Sequence, residues 1–363
     1  MILRTLSLQN FRNYTRQSLT FSPTTTLIIG PNTAGKTNIL EALVMMATGK
    51  SFRADRDSEV VRWGVDITRL KATLEDTTLE MVITSGFLGG QKVPIKKYTV
   101  NGVPRRLVDF AGNLRTVLFW PEDLELVTDS PSLRRRYLDS VLVQTDREYR
   151  RNLLSYERGL RQRNKLLDLI NEGRASSGQL LFWNQLLIRA GGYLTDMRTK
   201  LLAYVNDYTF PGVVFRTVYD KSIISDTRLQ QYADEEIAAK ATLVGPHRDD
   251  FIIQTKPTPV QREERGEESF LDLSKYGSRG EQRLAVLWLK LAELSYIQGT
   301  TSEPPLLLLD DIFSELDEEH QQMVLSLMGK QQTIVSSTDI GVLQLLKHAH
   351  AKHLEIIRLP LVK

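Results

Sequence analysis

Residues 25–43, TTLIIGPNTAGKTNILEAL, join a short apolar run to a helical pattern through a glycine-rich loop. Residues 25–29 read as a buried strand, β-branched and apolar and closed by Gly30. Across residues 35–48, Ile39, Leu40, Leu43 and Met46 fall on one helical face. Between them, GPNTAGKT (residues 30–37) fits G-x-x-x-x-G-K-[ST] in the strand–loop–helix setting that a phosphate-binding loop requires. In such a loop the backbone N–H groups and the helix N-terminus converge on an anion. Lys36 is placed to reach the β- and γ-phosphates of a nucleotide, and the Thr37 hydroxyl to ligate Mg²⁺. Gly30, Pro31, Asn32, Thr33, Ala34 and Gly35 complete the candidate ATP-binding loop. Thr33 carries one tension: if that position needs a positive φ, a β-branched residue is costly there.

A phosphate loop needs an acidic partner at the end of a neighbouring buried strand. PPLLLLDDIFSELD (residues 304–317) supplies it. Four leucines between prolines and aspartates read as a strand of a parallel sheet buried on both faces. Asp310 is then the Mg²⁺-side carboxylate, and Asp311 stands where a general base would polarise an attacking water. The two halves of this site lie near opposite ends of the chain, so other structure is inserted between them.

A third feature, SRGEQ (residues 278–282), opens an apolar helix pattern carrying Leu284, Leu287, Leu291 and Leu294 with Trp288 beside them. Ser278 and Glu281 have the spacing of a capping box. The same serine, glycine and helix N-terminus also make an anion-binding feature. Local sequence leaves both readings open.

Composition bounds the class. The 363 residues suit about two domains, and 41% apolar content supports sizeable cores. With 47 basic and 44 acidic residues the net charge is only +3, so local clustering must decide whether nucleic acid is a partner. The absence of cysteine excludes disulfides and thiolate metal sites. No apolar run approaches the ~20 residues that span a bilayer, and MILRTLSLQNFRNY at the start alternates like a strand rather than reading as a signal peptide. A soluble, cytoplasmic protein without a membrane partner is the expectation.

Along the chain, residues 2–30 and 66–120 read as strands, with Asn101-Gly102 as a tight-turn signal. From Ser132 to about Tyr204 proline vanishes and leucine and arginine dominate, which reads as long amphipathic helices broken at NEGRASSG (residues 171–178). The expected organisation is a head half over 1–130, a helical insertion over 131–240 and a second head half over 241–363. KPTPVQREERGEES (residues 256–269) reads as a hairpin loop. Within 134–165, basic residues far outnumber acidic ones. A basic helical stripe suits a phosphate backbone without reading sequence, so Arg134, Arg135, Arg136, Arg150, Arg151 and Arg161 are DNA-binding candidates, with Arg53 outside the block. The competing reading is a solvated helix face whose arginines pair internally. His247 beside Asp249 and Asp250 lacks a second histidine at metal spacing, which favours a structural role; a zinc site among His348, His350 and His353 is not favoured either.

The order of phosphate loop, S-x-G-x-Q, strand-Asp-Asp and SELD resembles the ABC-type ATPase heads, including the SMC-like DNA-repair ATPases. LQNFRNY, GKSFR, YTVNG, PEDLELVTDSPSLRRRYLD and GPHRDDF carry that further, and the chain resembles the bacterial RecF family from end to end. The resemblance implies an α/β fold: an ABC-type P-loop ATPase head with mixed sheet and an inserted α-helical arm. It implies ATP and Mg²⁺ as cofactors, with Ser278, Arg279, Gly280 and Gln282 as a signature acting on the nucleotide of a second subunit. Ser314 and Asp317 fall in the loop between the two sites of such a dimer, and Arg12 and Asn13 near the ribose or base. It further implies an ATP-dependent homodimer, sequence-independent binding to double-stranded or gapped DNA, RecR and RecO as partners, and help in loading RecA. Asp311 in place of the glutamate usual in ABC-type ATPases, and Thr338 where ABC transporters often carry histidine, fit slow hydrolysis used as a release timer. A transporter subunit is the alternative enzyme class, distinguished by lacking a basic arm. An ATP-gated clamp with negligible hydrolysis is the non-enzyme alternative.

Overall fold

The computed structural model describes residues 1–256, 270–314, 316–348 and 354–360. The loop expected over 256–269 lies, beyond Lys256, outside the described residues, as do Glu315, His350 and His353. The chain divides into two compact units, one of residues 1–123 and 293–363, the other of residues 124–292. The segment 241–292, which the sequence reading counts with the head, packs with the helical unit instead, because the strand Asp250–Thr255 pairs in register with Phe215–Asp220 there.

The first unit holds two sheets. Strands β1 (Leu3–Phe11), β2 (Tyr14–Thr20), β4 (Ile67–Leu74), β5 (Thr78–Thr84), β8 (Lys96–Val100) and β9 (Val103–Arg105) form an antiparallel sheet in the order β2-β1-β4-β5-β8-β9. The short pair β6 (Phe87–Leu88) and β7 (Gln91–Lys92) stands apart from it. As the Asn101-Gly102 signal predicts, β8 and β9 join through a turn in which both residues have positive φ, 52° and 75°. Strands β3 (Thr25–Ile29), β10 (Thr116–Phe119), β14 (Leu306–Asp310), β15 (Thr333–Ser337) and β16 (Leu354–Arg358) form the second sheet, ordered β10-β14-β15-β3-β16 and parallel throughout. The expected mixed α/β head is thus present, with its antiparallel and parallel strands segregated.

The helix Lys36–Thr48 packs against strands of both sheets. That is why its burial extends beyond the face defined by Ile39, Leu40, Leu43 and Met46 to Ala42, Val44, Met45 and Ala47. One core joins these residues to Leu6, Leu8, Leu70, Leu79 and Met81 of the antiparallel sheet and to Ile28, Leu306, Leu308 and Ile334 of the parallel one. Parallel strands share a common carboxyl edge, and in open α/β sheets ligands bind beyond that edge. This edge gathers the ends of β3, β10, β14 and β15, so segments distant in sequence meet in one place.

The second unit contains the helices Pro131–Thr145, Arg147–Asn171 and Leu181–Asp207, and a three-stranded sheet of β11 (Phe215–Asp220), β12 (Asp250–Thr255) and β13 (Leu271–Asp272). Asp146 starts the second of these helices by accepting from the N–H groups of Glu148 and Tyr149 at 2.7 and 3.0 Å. The core of this unit is unusually ionic. Arg198 is buried and donates to Asp139 at 2.8 Å, Asp249 at 3.1 Å, the Pro246 carbonyl at 2.7 Å and the Tyr149 hydroxyl at 3.1 Å. Arg163 is as deeply buried and donates to Glu236, Asn184 and Thr242. Each buried charge has its partners, the condition for tolerating it. Among the described residues no helix is long and apolar enough to cross a membrane.

Candidate functional site: a phosphate-binding cavity on the parallel sheet edge

A cavity of about 350 Å³ opens at the carboxyl edge of the parallel sheet. Asn32, Thr33, Gly35, Lys36, Thr37 and Asn38 line one side; Asp310 and Asp311, Arg53, and Trp120, Pro121 and Glu122 line the rest. The phosphate loop and the aspartate pair predicted from sequence therefore share one cavity.

The loop is held in a conformation that most residues avoid. Gly35 has φ 95°, and a Cβ there would come within 2.7 Å of the Asn13 amide nitrogen and the Tyr14 hydroxyl. Both contacts come from the β1–β2 hairpin, where Tyr14 donates to the Ala34 carbonyl at 3.1 Å and Asn13 to the Thr33 carbonyl at 3.5 Å. Thr33 has φ 71°, which realises the tension read from sequence: a β-branched residue sits in the left-handed region. Gly30 allows the loop to pass close to Leu359, whose backbone oxygen and Cβ would both lie 3.1 Å from an added Cβ.

Lys36 is buried, and its ammonium donates to the Gly30 and Pro31 carbonyls at 2.9 and 3.1 Å. Burial lowers its pKa from the ordinary lysine value, while the charges of Asp311 and Asp310 act in the opposite sense. Asp310 is buried at the end of β14 and accepts from the Ser336 hydroxyl. Asp311 has φ 50°; its N–H donates to the Ser336 carbonyl at 3.0 Å and its carboxylate accepts from Ser337 at 3.4 Å. Ser336 and Ser337, the last residues of β15, thus orient both aspartates. Thr338, next in sequence, is exposed.

Arg12 and Asn13, expected near the ribose or base, lie in the hairpin that buttresses the loop. Arg12 (φ 52°) donates twice to the Glu41 carboxylate, at 2.9 and 2.5 Å, and once to the Glu59 carbonyl at 3.0 Å. Asn13 accepts from Asn38 at 2.7 Å. Arg53, expected as a DNA contact, lines the phosphate cavity and donates to Asn38 and Glu41, both at 2.6 Å. Glu41 has no exposed surface and also accepts from Ser51 at 2.5 Å. Burial alone would raise its carboxyl pKa; Arg12, Arg53 and Ser51 overcome that and hold it below the ordinary carboxylate value. Sequence reasoning missed Glu41, Asn38, Trp120, Glu122, Ser336 and Ser337. For Glu41 a signal existed: one acid inside the apolar run NILEALVMM must find a buried counter-charge.

The S-x-G-x-Q segment belongs to the second unit and realises the capping reading. Ser278 and Glu281 form the reciprocal box, with the Ser278 N–H and hydroxyl both donating to Glu281 at 2.8 and 2.9 Å and Glu281 N–H donating back at 3.3 Å. Ser278, Arg279 and Gly280 remain exposed, and a Cβ at Gly280 would meet only the Ser278 hydroxyl, at 3.9 Å. Gln282 is buried and its amide donates to the Leu273 carbonyl at 3.1 Å. Ser314 donates to the Asp311 carbonyl at 2.7 Å, tying that loop to the aspartate pair. Asp317 caps the helix Glu318–Leu327 through the His320 N–H at 3.0 Å.

The DNA candidates divide. Arg134 must be withdrawn: it is buried, pairs with both oxygens of Asp250 at 2.7 and 2.9 Å, and gives its remaining donors to the Leu126 and Asp129 carbonyls. Arg135 is half-buried and donates to the Asp249 carbonyl at 2.7 Å, and Arg150 to the Val143 carbonyl at 2.5 Å. Arg136, Arg151 and Arg161 are exposed, Arg151 in an ion pair with Glu148 at 2.8 Å. GPHRDDF is structural: His247 meets the Tyr156 hydroxyl at 2.7 Å and the Thr242 carbonyl at 3.0 Å, and burial pushes its pKa down to about 4. No group of three or more His, Asp or Glu side chains that could hold a metal ion occurs among the described residues.

Comparison with known proteins finds relatives over nearly the whole chain. The RecF/RecN/SMC N terminal domain model matches residues 2–351. A DNA replication and repair protein RecF of Lachnoclostridium phytofermentans is 35% identical, covering 94% of this chain and 93% of its own. The corresponding protein of Herpetosiphon aurantiacus is 37% identical, covering 94% of each. The solved structure of the recombination mediator protein RecF-ATP in the RecFOR pathway superposes with a TM-score of 0.80 at 29% identity, over 93% of this chain and 92% of that one. Both the phosphate-loop architecture and these matches over nearly the whole length place the chain in one family: it belongs to the RecF family of DNA replication and repair proteins, within the RecF/RecN/SMC group.

Proposed function

We propose that the chain is an ATP-dependent DNA-binding protein of recombinational repair, which dimerises on ATP and hydrolyses it slowly to release DNA. The observation that carries this reading is the shared cavity of the phosphate loop and the Asp310–Asp311 pair. The loop amides and the Lys36 ammonium receive the β- and γ-phosphates, for which Lys36 exchanges its hold on the Gly30 and Pro31 carbonyls. Thr37 and Asp310 border the same cavity and offer hard oxygen donors, a set that fits Mg²⁺. Thr37 and Asp310 would hold the ion, which would supply neutralisation of the phosphate charge there. Asp311, held by Ser337, accepts the proton of the attacking water.

The exposed Ser278–Gly280 turn at a helix N-terminus fits a role on the nucleotide of a second copy, where the serine exchanges Glu281 for phosphate. DNA at gaps or junctions is the proposed cargo, RecR and RecO the proposed partners, and assistance to RecA loading the proposed outcome. Sedimentation with and without ATP and Mg²⁺ tests the mechanism: an ATP-dependent dimer is expected, and a wild-type monomer at saturating ATP would overturn it. Lys36→Arg and Ser278→Arg proteins should each fail to dimerise productively, yet when mixed should regain one working composite site per dimer.

A further inference from the structure

The turns at one end of the antiparallel sheet carry residues that turns usually lack. Arg62, Trp63, Gly64, Val65 and Asp66 lead into β4, and the hairpin of β6 and β7 follows β5, returning through residues 93–95. Register brings the two segments together. Ile67 pairs with Thr84, the Ser85 N–H donates to the Asp66 carbonyl at 3.0 Å, and the Thr84 N–H donates to the Ile95 carbonyl at 2.8 Å. Trp63, Val65, Phe87 and Ile95 therefore gather at a single sheet end. None is covered: they are 99%, 38%, 57% and 50% exposed. One exposed apolar side chain needs no explanation, but four from separate turns at one sheet end, two of them aromatic, mark a contact surface.

The frame that carries them is fixed in advance. Gly89 and Gly90, at φ 55° and 80°, make the two-residue turn between β6 and β7. The Ser85 hydroxyl donates to the Asp66 carboxylate at 3.0 Å. The Thr84 hydroxyl donates to the Pro94 carbonyl at 3.0 Å and accepts from the Gly86 N–H at 3.1 Å. Side chains held on such a frame lose little freedom on docking.

Charge at the rim selects the occupant. Arg62, Lys92 and Lys97 flank the apolar residues, and none has an ion-pair partner among the described residues. Arg62 spends one donor on the Asn13 carbonyl at 2.5 Å, whereas Lys96 is already paired with Asp57. Asp66 is the one acid in residues 62–66 and 85–97, and Ser85 engages it. The backbone of a duplex would meet these cations but leave Trp63 and Phe87 in water. A protein segment that sets carboxylates beside apolar side chains uses both.

We infer that this end of the antiparallel sheet is a docking site for an acidic peptide segment of a partner protein. Trp63 and Phe87 bury the apolar side chains of that segment, and Arg62, Lys92 and Lys97 pair with its carboxylates. Aromatic anchors within a charged rim are the anatomy of protein–protein contacts. Neither the nucleotide cavity nor DNA enters this contact, so loss of either activity leaves it in place.

The probe is a fluorescein-labelled synthetic peptide in which aspartates flank a leucine–phenylalanine pair, added to the full chain and followed by anisotropy. Saturable binding is expected, weakening as salt rises. Trp63→Ser with Phe87→Ser should weaken it at least about tenfold, with binding of a fluorescent ATP analogue verifying the fold. Should the double variant fail to fold, Trp63→Ser by itself should weaken binding about tenfold. Tryptophan emission of the wild type should shift to the blue as the peptide covers Trp63, and Trp63→Ser should abolish that shift. Lys92→Glu should also weaken binding, and a peptide with lysine in place of aspartate should not bind. No binding of the aspartate peptide, or equal binding by wild type and the serine variant, overturns the inference. Loss of duplex binding or of ATP-independent self-association in the serine variant, with peptide binding unchanged, would assign the patch to nucleic acid or to a second copy and equally overturns it.

Discussion

Replacing Glu41 by glutamine is the sharpest probe of how the phosphate loop is held. Glu41 is fully buried on the helix that follows the loop, and accepts two hydrogen bonds from Arg12, one from Arg53 and one from Ser51. Glutamine keeps the shape but removes the charge, and its NH₂ faces donors where an acceptor is needed. Breaking a buried ion pair by neutralising one partner costs about 3–5 kcal/mol. The two guanidinium groups retain 22% and 30% exposure, so water compensates them in part and the lower end applies, about 3 kcal/mol. For a unit of this size, each kcal/mol moves the midpoint by about 2–4 °C, so calorimetry should show the head transition falling by roughly 6–12 °C at pH 7. The carboxyl is held below its ordinary value of 4.5, so its contribution is complete above that value. It drains away as pH falls through the lower folded-state value, and the gap between variant and wild type should narrow on acidification. A drop of less than about 2 °C at pH 7 would refute the view that this carboxylate anchors both arginines. The variant should also bind ATP more weakly, because Arg53 lines the cavity and loses its anchor.

Gly35→Ala should abolish nucleotide binding, since it combines φ 95° with a 2.7 Å approach to Asn13 and Tyr14, whereas Thr33→Gly should raise the melting midpoint by relieving roughly 1 kcal/mol of left-handed strain. Arg134→Ala should destabilise the second unit by about 3 kcal/mol in chemical denaturation by orphaning Asp250, while leaving the salt dependence of DNA binding unchanged. His247 remains neutral in the fold down to about pH 4 but protonates near 6.5 when unfolded. The unfolded chain then binds the extra proton between those values, so stability falls with decreasing pH across that window, by up to about 3 kcal/mol. His247→Asn should flatten that segment of the stability profile. Asp311→Asn should slow single-turnover hydrolysis by at least about tenfold with ATP affinity retained.

Much of the site was legible because its chemistry is local. The phosphate loop is contiguous, and a strand-loop-helix pattern around G-x-x-x-x-G-K-T needs no long-range information. The Asp310–Asp311 pair was legible because four leucines between prolines and two aspartates read as a strand buried on both faces and ending at a polar edge, once the phosphate loop calls for an acidic partner. Glu122, Ser336 and Ser337 were not legible. Glu122 reaches the cavity, and the two serines reach the aspartates that line it, because parallel strands β10 and β15 end at the same edge as β14, a fact of strand order rather than of spacing. Arg53 moved from a DNA candidate to the cavity wall for the same kind of reason: its partner Glu41 lies on a helix enclosed by two sheets.

By itself, then, the sequence determined the nucleotide-binding class, the split of the site across the chain, the run of long helices after Ser132, and the capping-box spacing of Ser278 and Glu281. Each follows from residues near one another along the backbone, where propensity and periodicity act. Tertiary structure alone decided which charges face inward and which face solvent. Arg134 and Arg161 look alike in a basic run, yet one is locked to Asp250 and the other is exposed. Arg16, Arg69, Lys71 and Lys97 look unrelated in sequence and form one surface. A charge is placed by the partner that balances its desolvation, and that partner is chosen by sheet register and helix packing across long stretches of chain.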